Sequence, residues 1–228
     1  PLKLFKHSDL ENALVRLLQD RAQLDGRPLP PEAAEAARNL QATRDRLMAI
    51  KELSPTMAEA AADEFIGYSN VIERLEARFE RLGVELGLSF TWKDAWKPRS
   101  RSSFEDLQTE RVGALINAAA ACAYRAAQPS TSPIEAYRAL QRAAGCYAQA
   151  HDLVKAAIWG LSPRWQPSSL TGDVRLEFLS AMQATMLAQA QRAVHAQACA
   201  DPAISAKSRR LSAAATQALY EHACVLMR

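Results

Sequence analysis

At 228 residues the chain is long enough to remove roughly 70% of its unfolded surface from water, so a disulfide framework is not needed and its four cysteines read as reduced thiols. Lys plus Arg total 28 against 25 for Asp plus Glu, a net charge of +3 that is too small and too evenly spread for a nucleic-acid surface. Hydrophobic residues make up 49%, much of it alanine, so helices approach closely while each contact buries little area. The longest small-apolar run, Ala114 to Ala127, is interrupted by Asn117 and Arg125 and falls short of the roughly 20 apolar residues of a membrane span. The sequence starts at Pro1 without a methionine, so any targeting segment is taken to have been removed.

Residues Ser8 to Leu24 carry Leu10, Leu14, Leu17 and Leu18 at the spacing of one helix face, and Asp25-Gly26 with Pro28, Pro30 and Pro31 ends that helix. A second helix is predicted from Glu32 to Leu53, with Leu40, Leu47 and Ile50 on one side. Thr56 with Glu59 reads as a capping box opening a third, through Met57, Phe65, Tyr68, Ile72, Leu75 and Phe79 to Leu82. Helices two and three would form an antiparallel hairpin. Between Gly83 and Ser102, glycines at 83 and 87 surround Phe90, Trp92 and Trp96 before Pro98, Arg99 and Arg101, which reads as a structured connector.

Ser103 and Asp106 would cap a fourth helix with Phe104, Leu107, Leu115, Ala118 and Cys122 on one stripe. Ser132-Pro133-Ile134-Glu135 is the clearest start signal, with Ser at the cap, Pro in the first turn and Glu at the third position, and helix five runs to Gly160. A loop with Pro163, Trp165 and Pro167 leads to helix six, Thr171 to Cys199, and Asp201-Pro202 opens helix seven, which runs to Arg228. Nothing alternates with a period of two over a useful length, so sheet is limited to a short edge. The chain divides into an N-terminal helix and Pro-rich linker, 1–31, and a helical domain, 32–228.

Sites for chemistry are thin. His195 with Cys199, and His222 with Cys224, suggest a four-ligand zinc site, but no Cys pair stands at C-x-x-C spacing and ordinary surface residues account for them better. Cys146 and His151, five residues apart on one helix, point away from a common centre. There is no Gly-rich phosphate loop, no G-x-S-x-G and no H-E-x-x-H. We therefore expect no catalytic residues, no cofactor and no metal. The tryptophans at 92, 96, 159 and 165 fall at connectors, where a ring plugs the space between helix ends, and Met182 and Met186 read as gap fillers.

Four segments in order resemble the Bro1 domain family, which takes in Alix, Brox and the rhophilins. Phe90-Thr91-Trp92-Lys93-Asp94-Ala95 is similar to its F-x-W-x-D element. Glu110 to Ala120 resembles E-x-A-x-V-L-F-N-x-A-A, with Ile116 at the phenylalanine and Asn117 matching. Ala143-Ala144-Gly145-Cys146-Tyr147 is similar to A-A-G-x-F, and Met186 to Gln191 to M-L-A-Q-A-Q. The resemblance covers Ala34 to Arg228, the front and middle of the family's domain, so the chain is read as truncated on its C-terminal side, either a fragment or a reduced relative.

The resemblance implies an all-α fold, an elongated solenoid of antiparallel helical hairpins like tetratricopeptide repeats, whose concave face takes up an amphipathic helix of an ESCRT-III subunit. Carried over residue by residue, Leu211 stands at a hydrophobic groove position and Val194 where a bulkier aromatic is common. Lys207 stands one turn before Leu211 where an apolar residue is expected, and Arg138 matches a basic position on helix five. The implied function is a non-enzymatic protein-binding scaffold of endosomal sorting, cytoplasmic and peripheral to endosomes, with no nucleic-acid partner. The alternative is an accessory subunit of a large, organellar (for example mitochondrial) assembly that has kept the fold without the peptide groove. A Rho-type GTPase effector is a third, minor reading.

Overall fold

The computed structural model describes residues 9–24, 26, 28–82, 88–97, 99–160, 165 and 169–227. Among these it forms α1 (Leu10–Leu24), α2 (Pro31–Met48), α3 (Ala58–Leu82), β1 (Phe90–Lys93), β2 (Arg101–Phe104), α4 (Leu107–Ala126), α5 (Pro133–Trp159), α6 (Leu176–Ala200) and α7 (Ala206–Leu226). The class is all-α with one short hairpin. From α3 onward each helix packs chiefly against the next in sequence, α3 on α4, α4 on α5, α5 on α6 and α6 on α7, the side-by-side stacking of a helical solenoid. Leu10 and Leu14 of α1 join the same hydrophobic cluster as the rest of the core.

Local chemistry explains the element starts, and in several places moves them. The capping box at Ser132 is complete: its hydroxyl accepts from the Glu135 amide at 3.4 Å, and Glu135 Oε2 accepts from the Ser132 amide at 2.9 Å. The Thr56 box does not form, because the Thr56 hydroxyl is taken up by that of Ser54 at 3.1 Å and α3 starts at Ala58. Helix two stops at Met48, five residues before the predicted end, and the chain then turns so that Ile50 and Leu53 pack on the core. Its main neighbour is α1, and the expected α2–α3 hairpin is only a small contact.

Ser103 and Phe104 lie in β2 rather than in α4; Asp106 alone caps that helix, accepting from the Thr109 amide at 2.7 Å. Helix six is preceded by a 3-10 turn at Gly172–Val174 and begins at Leu176. Helix seven begins at Ala206 with Ser205 as its cap, since Asp201 spends its carboxylate on the Ala203 amide in the preceding turn. Gly83, Gly87, Pro98, Pro163, Pro167 and Asp25 lie outside the described residues.

The hairpin pairs Phe90 with Phe104 and Trp92 with Ser102, so alternate side chains face the helices. Phe90, Trp92 and Phe104 are buried there, and burying a ring of this kind contributes about 1.5–3 kcal/mol. Trp92 lies flat against α4 at Gly113, where a Cβ would come within 2.0 Å of the indole, so only glycine permits this approach. Trp165 stacks on Phe104 at 4.8 Å and donates to Asp106 at 2.5 Å. These two tryptophans plug connectors as expected. Trp96 and Trp159, 59% and 69% exposed, do not.

Beneath the hairpin an ion pair is closed off from water. Arg44 of α2 donates from Nε to Glu110 Oε1 at 2.6 Å, the Tyr68 hydroxyl of α3 donates to the same oxygen at 2.9 Å, and both charged side chains are 0% exposed. Burial pushes the Glu110 carboxyl above its ordinary range, while Arg44, Tyr68 and Trp92 pull it back. The pair ties α2 to α4 where α2 and α3 touch little. Arg111, one residue on, grips Glu73 and Glu76 of α3 at 2.7 Å each.

Candidate docking face

The exposed end of the array is built by α5, α6 and α7. The Ser132 box fixes where α5 begins, and the Asp201 turn with the Ser205 cap reverses the chain between α6 and α7. Gln191 of α6 donates to the Ser212 hydroxyl of α7 at 3.3 Å, which sets the register of the two antiparallel helices. One turn forward from Gln191 brings Val194, and one turn back from Ser212 brings the stretch around Ser208. Val194 therefore stands level with the segment from Lys207 to Leu211.

Between the start of α5 and the end of α6 lies a groove of about 400 Å³ lined by Ile134, Tyr137, Val194, Ala198 and Ile204, with Gln197 and Asp201 as polar edges. Val194 is 37% exposed, and Leu211 on the neighbouring helix 63%. Of the described residues of α7 only Ala223 is buried, so the helix shows most of its circumference to solvent. Lys207 is exposed on that same surface. The arrangement offers apolar side chains at helical spacing beside a cation and an acidic rim, the chemistry that receives an amphipathic helix.

Arg138 stands elsewhere. It lines a cavity of about 300 Å³ between α3, α4 and α5 with Arg125, Arg142, Glu59, Glu135 and Cys122. Arg142 pairs with Asp63 at 2.5 Å, and Arg125 approaches Glu135 at 3.9 Å, so this cavity is a balanced mixture of charges rather than a basic pocket. The sequence-derived set thus divides: Val194 lines the α5–α6 groove, Lys207 and Leu211 are exposed one turn apart on the neighbouring α7, and Arg138 lines the α3–α5 cavity.

The thiols that sequence inspection weighed for chemistry lie in two environments. Burial pushes Cys146 up to about 12 and Cys122 to about 11, far from the thiolate that nucleophilic attack requires. His151 is turned to Asp152 at 3.2 Å instead of toward Cys146. Cys199 and Cys224 are exposed. Among the described residues no three His, Cys, Asp or Glu side chains gather as metal ligands, and no described helix is long and apolar enough to cross a membrane.

Sequence reasoning missed the residues that tie the hairpin to the turn before α6. Asp94, after β1, accepts from the Trp96 and Lys97 amides at 2.8 and 2.9 Å and from the Asp173 amide at 3.4 Å. Asp173, just before α6, accepts in return from the Ala95 amide at 2.9 Å. Ser102 of β2 donates to the Ser169 carbonyl and accepts from the Thr171 amide, both at 2.9 Å. The only signal was the aspartate of the F-x-W-x-D element, which says nothing of its partner 79 residues away.

The family model described as "BRO1-like domain" matches residues 1–228. A vacuolar-sorting protein BRO1 of Arabidopsis thaliana is 28% identical over 174 residues, which is 71% of this chain and 20% of that protein. A structure titled for endosomal targeting by the Bro1 domain superposes with a TM-score of 0.75 at 18% identity, covering 99% of this chain and 59% of its own. An ALIX BRO1 CHMP4C complex gives 0.69 at 23% identity over 87% of this chain and 55% of its own. ALIX with the SIVmac239 PYKEVTEDL late domain gives 0.70 at 23%, covering 87% of this chain and 28% of its own. The chain spans about a fifth of the curated relative's length and 28% to 59% of these structures. With the family model matched from end to end and the same stacking of helices, the chain belongs to the BRO1-like domain family.

Proposed function

We propose that this chain is a non-enzymatic protein-binding scaffold of endosomal sorting, cytoplasmic and peripheral to endosomes, and that its α6–α7 face takes up an amphipathic helix of ESCRT-III type. The single observation that carries the reading is the unpartnered apolar surface of Val194 and Leu211 beside the groove that Ile134 and Tyr137 line. Support comes from the similar ALIX domain, whose structure is named as a complex with CHMP4C. The relative named for vacuolar sorting and the structure named for endosomal targeting favour this reading over an organellar subunit.

Lys207 sets the specificity. An ammonium one turn from Leu211 disfavours an apolar side chain opposite it and favours a carboxylate, so the preferred helix carries Asp or Glu one turn from its leucine anchors. Arg138, a turn beyond Ile134 on α5, belongs to the neighbouring cavity and contributes charge at the edge of the surface. The test is fluorescence anisotropy with C-terminal ESCRT-III helix peptides, with and without an acidic residue facing Lys207. Binding by the acidic peptide, lost on Leu211→Asp and shifted toward the apolar peptide on Lys207→Ile, is the expected result. Absence of binding by every peptide overturns the proposal.

A further inference from the structure

On the surface of α6 the ring of His195 stands within reach of Cys199, with Sγ 3.6 Å from Nε2 and 3.9 Å from Nδ1. The spacing is i, i+4, so both side chains rise from one ridge of the helix. Two ligands of one tetrahedral zinc ion, with bonds of about 2.3 Å to sulfur and 2.0–2.1 Å to nitrogen, are held about 3.6 Å apart. The observed separation equals that edge of the tetrahedron. A helix, unlike a loop, holds the two donors at this distance before any ion arrives, which lowers the ordering cost of chelation.

The ridge is accessible. Cys199 is exposed and His195 half-buried, and the row they occupy continues from Gln191 along the side of α6 next to α7. We propose that His195 and Cys199 form a two-ligand surface site for zinc or a cation of similar softness, the other coordination positions being filled by water. A thiolate and an imidazole together select zinc, cadmium and cobalt(II) over magnesium and calcium. Binding displaces the thiol proton to solvent, so the ion enters as the S–H bond is given up and no electron changes hands.

The chain contains its own control. His222 and Cys224 on α7 are the same two residue types, both exposed, but at i, i+2 they leave the helix in different directions and do not meet one ion. The two sites share no residue, so they are tested separately: Leu211→Asp removes no ligand of the ion, and Cys199→Ser removes neither Val194 nor Leu211.

The experiment is the rate of alkylation of each exposed thiol, read by peptide mass spectrometry, with zinc chloride titrated against the native chain. The expected result is that saturating zinc slows modification of Cys199 about tenfold or more, as thiolate is withdrawn into the metal bond. Cys224 keeps its rate, and His195→Gln abolishes the protection. Cobalt(II) in place of zinc gives a thiolate-to-cobalt absorption band that disappears in Cys199→Ser. The inference is overturned if Cys199 is unprotected, if Cys224 is protected equally, or if protection survives His195→Gln in a chain whose helical circular dichroism is unchanged.

Discussion

Helices α4 and α7 have nearly the same length and alanine-rich composition, yet 14 of the 20 residues of α4 are buried, whereas α7 buries Ala223 alone among its described residues. The first is enclosed by α3, α5 and the hairpin; the second leans on α6 and is otherwise open. What differs is what the small residues do. In α4 a glycine lets the Trp92 ring reach the helix backbone closely, and in α7 the small residues reduce the apolar surface left facing water. The middle of the array is enclosed, and its last helix is open to solvent.

The sharpest way to break that contrast is to remove one partner of the ion pair under the hairpin. Glu110→Ala removes the carboxylate that Arg44 pairs with in a dry site and should destabilise the chain by about 3–5 kcal/mol, read from urea unfolding at constant m-value. A loss below about 1 kcal/mol would show that the pair is wetter than its burial implies. The pH profile carries a sign as well. Since the folded-state Glu110 pKa lies above the ordinary carboxylate range, the folded protein holds that proton more tightly than the unfolded chain. The group's contribution therefore declines as pH rises from the usual carboxylate range through the raised folded value, and Glu110→Gln should abolish that decline.

Gly113→Ala comes next. A methyl group directed into the Trp92 ring forces the hairpin away from α4, at a cost of about 1–3 kcal/mol, with the near-ultraviolet dichroism of the indole altered. Unchanged stability and spectrum would mean that the hairpin rides loosely on α4. Ser132→Ala tests the border between the two regions: losing the capping box should cost about 1 kcal/mol and raise amide exchange in the first turn of α5 while α4 stays protected.

The smallest effect belongs to the open end. Leu211→Asp should leave unfolding within about 0.5 kcal/mol of the parent while removing helix binding, a separation of stability from recognition that no substitution in α4 can give. If it instead unfolds the chain, α7 is part of the core and the contrast fails.

The sequence revealed what nearest neighbours decide. Ser132 and Glu135 complete a cap within four residues, and the leucine spacing of α1 needs nothing beyond the helix itself, so both were legible. The strands were not, because β1 and β2 are too short for a period of two to stand out and are held by pairing with each other and packing on α4. Sequence pattern alone therefore puts Phe104 in a helix, where the structure has it in β2. The α2–α3 hairpin was expected from proximity in sequence, whereas Arg44 reaches past α3 to Glu110, 66 residues on, a choice no local pattern records. For the docking face, the resemblance supplied Val194, Lys207, Leu211 and Arg138; Val194 lines the α5–α6 groove, Lys207 and Leu211 stand on the next helix, and Arg138 lines a different cavity.

The reciprocal hold of Asp94 and Asp173 also has a bearing on the order in which the molecule assembles. Joining two turns 79 residues apart in an open chain carries a loop-closure entropy of roughly 4 kcal/mol, more than a few amide contacts recover. Once α4 and α5 have folded back on each other, most of that span is already fixed and the two aspartates meet at little further cost. The clasp is thus a late event that reports on the helices it encloses, closing only over a correctly folded pair.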